Sequence, residues 1–260
     1  MEIGQCLGDL SMLTANNIHK AYRLNKKEQK LQRAKHIQVL KGVSFNCKPG
    51  TVTGLLGVNG AGKTTTLRTL TGAISADKGN VTLDGLDVHT NKQAALGLGF
   101  HSASTALYKR LSVLANLEFF GGLYGLKGAN LTARVNELAD RLGFAHYLEK
   151  GVKDLSTGML QKAAIARAIL HDPQIIILDE PTTGLDVMAS ANIIDFIRQQ
   201  KELGKTILFS THNMHEVESL CDSIVVLHKG VVHFDGTLDD FCGGKDLART
   251  ITHVLSDKPV

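Results

Sequence analysis

Two hydrophobic periodicities take turns along the chain, and their order predicts its architecture. Leu13 to Tyr22 and Ile37 to Phe45 mix β-branched and polar residues as strands do, and Lys48-Pro49-Gly50 marks a turn after the second. A short strand over Thr51 to Leu56 runs into glycines. Beyond Lys63 the spacing becomes helical, with Leu67 and Leu70 one turn apart and Gly72 placed to end the helix. Asn80 to Val88 reads as another strand with an Asp84-Gly85 turn inside it. From Ser104 to about Leu170 the pattern is mostly helical, with Leu114, Leu117 and Phe119 in one segment and Val135, Leu138 and Leu142 in another. Strand character returns at Gln174 to Leu178, Thr206 to Ser210, Ser223 to His228 and Val231 to Phe234, with a helix from about Ala189 to Lys201 between the first two. Such alternation predicts an α/β fold with a mainly parallel sheet covered on both faces and a helical insertion. One domain over residues 13–238 is expected, with the insertion at about 104–170 and tails at 1–12 and 239–260. The last of these carries weak helix and strand hints and no chemistry.

Composition narrows the function classes. At 260 residues and 43% apolar, the chain can bury a sizeable core. Its net charge of +4 rests largely on one tract, where Arg23, Lys26, Lys27, Lys30, Arg33 and Lys35 face Glu28 alone. The remainder is near neutral, so no nucleic-acid partner is expected. The tract reads as a solvated loop between strands, with contact to anionic lipid as the alternative. Cys6, Cys47, Cys221 and Cys242 form no CxxC pair, which suggests neither zinc nor a disulfide framework and fits a reducing compartment. The N-terminus lacks the charged-then-apolar order of a secretory signal. No stretch approaches the roughly 18 to 20 apolar residues that cross a bilayer. Action at a membrane would therefore need another chain to span it.

The chemistry begins at Gly57-Val58-Asn59-Gly60-Ala61-Gly62-Lys63-Thr64, a P-loop pattern set between a predicted strand and a predicted helix. In such a loop the backbone N–H groups of Gly57, Asn59, Gly60, Ala61 and Gly62 curve around an anion. The helix start at Lys63, Thr64 and Thr65 adds positive partial charge, Lys63 reaches the terminal phosphates, and the Thr64 hydroxyl can ligate Mg²⁺. The strand ending Leu178-Asp179-Glu180 puts Asp179 at the ligand-binding edge of a parallel sheet, suited to hold magnesium. Glu180 is placed to polarise an attacking water as general base. ATP and Mg²⁺ are thus the expected cofactors and ATP hydrolysis the expected reaction. Ser156 opens a helix with Leu160, Ala164, Ile165, Ala168 and Ile169 at helical spacing, a second helix terminus suited to an anion.

Leu155-Ser156-Thr157-Gly158-Met159, followed by that helix and then Asp179-Glu180-Pro181, resembles the signature and Walker B pairing of ABC ATPases, over about residues 13–238. The resemblance implies a P-loop NTPase (RecA-like) core with an antiparallel β subdomain and an inserted helical subdomain. It maps the signature serine and glycine onto Ser156 and Gly158, the D-loop aspartate onto Asp186 and the γ-phosphate-sensing switch histidine onto His212, beside the catalytic Lys63 and Glu180. It also implies a homodimer that sandwiches two ATP molecules, an integral membrane permease docked near residues 104–124, and a peripheral place on the cytoplasmic face of the cell membrane. Tyr22 is the candidate to stack on adenine.

A soluble ABC ATPase acting on the ribosome or nucleic acid is the alternative, but paired cassettes and long coiled coils are lacking. Ala103 stands where the family's Q-loop glutamine is expected, leaving His101, Ser102, Ser104 or water to serve the metal. With Thr157 and Met159 in the signature, these departures resemble the ATP-binding subunits of sodium-efflux transporters, which makes sodium export an expectation by analogy.

Overall fold

The computed structural model describes residues 11–27, 29, 33–102 and 107–255. Strands β1 (Leu13–Arg23) and β2 (His36–Cys47) pair antiparallel, and β1 pairs on its other edge with β4 (Lys78–Leu83), giving a four-stranded sheet in the order β2-β1-β4-β5. Asp84 and Gly85 both take positive φ, 51° and 81°, the two-residue hairpin turn that joins β4 to β5 (Leu86–Asp87). In β2 the buried positions run Leu40, Val43, Phe45, Cys47. A bulge at Gly42 shifts the phase of alternation by one residue, so all four still face inward.

The second sheet has six strands in the order β10-β9-β3-β8-β7-β6. Strands β3 (Val52–Leu56), β6 (Leu98–His101), β7 (Ile175–Asp179), β8 (Thr206–Ser210) and β9 (Ser223–His228) run parallel, and β10 (Val231–Thr237) closes one edge antiparallel. Every residue of β3, β7 and β8 is buried, as the continuous apolar runs require of central parallel strands. The fold is that of a P-loop NTPase, with mixed sheets and helices as the sequence predicts.

Helices α1 (Lys63–Leu70) and α2 (Lys92–Leu96) precede β6. The helical stretch then supplies α3 (Val113–Leu123), α4 (Gly128–Arg141) and α5 (Thr157–Ile169). Leu117, Val135, Leu138, Phe144 and Ile165 form a core there that is continuous with Ile176 and Phe209 on the sheet. Residues 103–106 lie outside the described residues, so the start expected at Ser104 is not described. Helix α6 (Val187–Glu202) returns to β8, and α7 (Met214–Leu220) follows it.

Beyond residue 238 the structure departs from the expected tail. Helices α8 (Leu238–Cys242) and α9 (Leu247–Leu255) fold back, burying Leu247 and Ile251 against Leu56, Val217, Ile224 and Val226. The short strand β6 is likewise absent from the sequence reading, because Gly99 weakens its strand signal. A Cβ at Gly99 would stand 2.8 Å from the Ala168 carbonyl, so close packing selects the glycine.

Two histidines lie at β6, His101 buried at its last position and His171 half-buried beside its first. Burial, helped by Arg167, pushes His101 down to about 4 against weaker opposition from Gln161 and the Ala164 backbone; neither ring nitrogen has a well-formed hydrogen bond. Burial also holds His171 near 4, although its Nε2 donates to the Leu98 carbonyl at 3.2 Å and its ring stacks on Tyr124. The unfolded chain binds protons at about 6.5 and the folded one does not, so this contribution is complete above pH 6.5 and disappears as pH falls toward 4. For His101 the difference amounts to about 3 kcal/mol. Urea unfolding should show stability falling across that window, and His101→Leu should flatten the slope; equal slopes would refute the assignment.

Candidate functional site

Register in the parallel sheet assembles the site. Leu55 of β3 and Asp179 of β7 both pair with Ser210 of β8, so the loops leaving these neighbouring strands open together at their C-terminal ends. That edge is where parallel α/β sheets hold ligands.

The loop after β3 turns into α1 through glycines that no other residue replaces without strain. A Cβ on Gly57 would lie 2.3 Å from the Leu227 carbonyl oxygen, and one on Gly62, at φ 110°, would lie 2.8 Å from Leu40 Cδ2. Val58, Asn59 and Gly60 form the exposed tip, while Ala61 is buried. Gly62 offers no side-chain cap, so the amides that open α1 at Lys63, Thr64 and Thr65 are left for an outside acceptor. By contrast α5 and α6 are capped from within the chain, by Ser156 Oγ accepting from Met159 N and by Asp186 Oδ1 accepting from Ala189 N.

Lys63 is buried, and its Nζ donates to the Gly57 carbonyl at 2.7 Å. Burial lowers its pKa from the usual lysine range, while Glu180 and Asp179 pull it back up. Thus the structure brings the P-loop lysine and the two carboxylates within electrostatic reach. Ser210 Oγ donates to Asp179 Oδ1 at 2.7 Å and accepts from the Glu180 amide at 3.0 Å. No role for Ser210 follows from the sequence, because its significance lies in the register of three strands. Glu180 has φ 48°, left-handed and uncommon for a residue with a side chain. Its Oε2 accepts from Thr183 Oγ1 at 3.0 Å and lies 3.6 Å from His212 Nδ1.

The donor set suits a magnesium ion: Asp179 keeps one oxygen beyond its Ser210 bond, and the Thr64 side chain is exposed. A hard cation that retains water and substrate phosphates needs few protein oxygens, in keeping with no cluster of three acidic, histidine or cysteine ligands among the described residues.

Ser156, Gly158 and Asp186 gather elsewhere. A Cβ on Gly158 would meet Ala189 at 3.2 Å, which sets the start of α5 against the start of α6. Burial lowers the pKa of Lys162, and the nearby Asp186 carboxylate offsets part of that lowering. Among the described residues, no hydrogen bond or ion pair joins these three to the P-loop of the same chain. Gln161 Nε2 donates to the Pro181 carbonyl at 2.7 Å, tying α5 to the segment after Glu180, a contact the sequence does not disclose. Tyr22 lies in β1 opposite Ile37, two residues from Val39, whose carbonyl flanks Gly62. Ala103 and Ser104 lie outside the described residues. Ser102 and His101 are buried, and the groups acting on His101 come from α5, so its imidazole belongs to the packing beneath that helix.

An uncapped helix terminus in a glycine loop, a buried lysine and two strand-end carboxylates define a P-loop ATPase. The chain belongs to the ABC transporter family, whose pattern matches residues 40–183. It is 45% identical over 210 residues to the ABC transporter ATP-binding protein NatA of Bacillus subtilis, covering 79% of this chain and 84% of that one. Linearmycin resistance ATP-binding protein LnrL of the same organism is 35% identical, over 89% of this chain and 71% of that one. A dimeric ATP-binding cassette in a post-hydrolysis state, with ADP and phosphate bound, superposes with TM-score 0.75 at 25% identity, covering 87% of this chain and 98% of that one. The chain is accordingly an ABC-type ATPase whose cofactors are ATP and Mg²⁺, an ATP-binding subunit of the transporter family.

Proposed function

We propose that the chain is the motor subunit of an exporter, held at the cytoplasmic face of the cell membrane by a separate integral membrane permease. In this reading two copies form a homodimer that closes on two ATP molecules and opens after hydrolysis. The observation that carries it is an apolar surface on α3 and the segment before it. Leu123 is 68% exposed and Tyr108 51%, with Leu111 and Phe119 exposed beside them. Tyr108 packs edge-on to Phe119 and stacks with Phe120, over which the Arg167 guanidinium lies at 4.8 Å. A cavity of about 280 Å³ opens next to them between β6 and the helical region, lined in part by Phe100, Phe120, Tyr124 and Arg167. Exposed aromatic clusters rimmed by charge suit a protein partner. No helix among the described residues is long and apolar enough to cross a membrane, so the spanning falls to that partner.

Within the site, Lys63 and the backbone from Gly57 to Thr65 hold the triphosphate. Asp179 and Thr64 hold the magnesium ion, which when bound offsets charge on the phosphates. Glu180 accepts the proton of the attacking water, and His212, 3.6 Å from it, contacts the γ-phosphate. Ser156, Gly158 and Asp186 are assigned to the ATP held by the second copy. Ser156 accepts from Met159 N, which leaves its O–H free to donate to a phosphate. Tyr22, near the C-terminal end of β1, stacks on adenine. ATP drives closure because the closed dimer makes contacts to it that the open one lacks.

The direction of transport is supported by the resistance function in the name of the Bacillus subtilis relative, and sodium as cargo by the signature-region resemblance. Purification from detergent-solubilised membranes should bring down a multi-span protein, and hydrolysis by that complex should rise with sodium but not with potassium. Elution alone or with ribosomes would overturn the permease reading, and indifference to sodium would overturn the cargo.

A further inference from the structure

Glu216 carries no chemistry in the site as described, yet it is only 3% exposed and sits under both of the loops that matter most. Its Oε1 accepts from Thr182 Oγ1 at 2.7 Å and from Asn213 Nδ2 at 3.2 Å, and its Oε2 accepts from Thr211 Oγ1 at 2.7 Å. Thr182 follows Pro181, directly after Glu180, and Thr211 immediately precedes His212. Thr211 and Thr182 are themselves buried. One carboxylate therefore bridges the turn after Glu180 to the loop that carries His212, across a sequence separation of 34 residues.

An acidic residue at the third position of a helix often completes a capping box, and Asn213 with Glu216 has that spacing. Capping accounts for neither Thr182 nor the burial of the carboxylate. Nor does packing hold the groups above: the His212 side chain is 63% exposed and that of Glu180 29%, so their 3.6 Å separation depends on where the backbone beneath them is fixed. Buried carboxylates are tolerated when hydrogen-bonded, and here each donor comes from a loop of the site.

We propose that Glu216 is a positioning residue for ATP hydrolysis, clamping the segment after Glu180 to the His212 loop and thereby setting the distance between the two side chains. The proposal rests on the roles given above to Glu180 and His212, so His212→Ala is measured first. Misplacing reacting groups by about 1 Å slows chemistry by about 100-fold at the extreme. Glu216→Ala should accordingly lower kcat by roughly 10- to 100-fold, with KM for ATP and the affinity for a fluorescent ATP analogue changed by less than about twofold.

Glu216→Gln should recover most of the loss, since an amide accepts from one threonine and donates to the other. Thr182→Val removes one bond to Glu216, Thr211→Val removes one to Glu216 and the one its hydroxyl accepts from the Asn213 amide, neither changes side-chain shape, and each should lose part of the rate. They keep the test alive if Glu216→Ala does not fold. In the His212→Ala background, Glu216→Ala should add less than about twofold, because residues acting as one unit are non-additive. Full multiplicative losses, or wild-type kcat in both threonine variants, would overturn the clamp. If His212→Ala itself hydrolyses ATP normally, the site reading fails and the clamp with it.

Discussion

Glu180→Gln should reduce ATP turnover by about 100- to 1,000-fold, the scale of a lost general base, while leaving ATP affinity intact. The substitution is selective for structural reasons. The left-handed backbone at residue 180 is held by its amide, which donates to Ser210 Oγ and to the Ser210 carbonyl, and neither bond involves the side chain that is changed. A glutamine also keeps an oxygen able to accept from Thr183 Oγ1. What it loses is the capacity to take a proton. With hydrolysis blocked and nucleotide still bound, the closed state has no exit, so gel filtration with MgATP should show the variant as a dimer. A monomer under those conditions would remove the two-copy scheme, and wild-type turnover would remove Glu180 as the base.

Glu180 was legible in the sequence because chemistry fixes residue types at short, rigid offsets. Only glycine satisfies the backbone at 57 and 62, and a strand that ends in Asp179-Glu180 places both carboxylates at the sheet edge whatever surrounds it. The same reasoning exposes His212, at the end of an apolar strand. It cannot expose Ser210 or Glu216, whose meaning comes from strand register and from hydrogen bonds across 30 or more residues.

The fold shows the same division. A continuous apolar run announced β7 and helical spacing announced α6, whereas β6 was masked by Gly99, which is there for close packing. α8 and α9 gain their order from Leu247 and Ile251 docking on strands already formed, so their local sequence says little. Tyr22 belongs between these cases, since its place near the end of β1 is set by the pairing of β1 with β2, while a tyrosine in a strand has many uses.

Lys63→Ala should cause the largest loss of binding. Removing one member of a buried, hydrogen-bonded charge pair typically costs about 2 to 5 kcal/mol, or roughly 30- to several-thousand-fold in affinity, and here the remaining charges aggravate it. Without the ammonium group, Asp179 and Glu180 would face a triphosphate of their own sign. The lysine is already drawn in before nucleotide arrives, with Nζ on the Gly57 carbonyl, so little reorganisation is needed to turn it onto a phosphate.

A pH signature separates this role from simple loss of structure. Burial lowers the Lys63 pKa in the free protein, outweighing the pull of Glu180 and Asp179, whereas a bound phosphate favours the charged form. ATP binding must therefore take up protons at alkaline pH, and affinity must fall as pH rises through the range where free Lys63 loses its proton. Titration with a fluorescent nucleotide in magnesium buffer should show that slope in the wild type and lose it in Lys63→Ala. Wild-type affinity in the alanine variant would mean that the triphosphate is held somewhere other than the loop after β3.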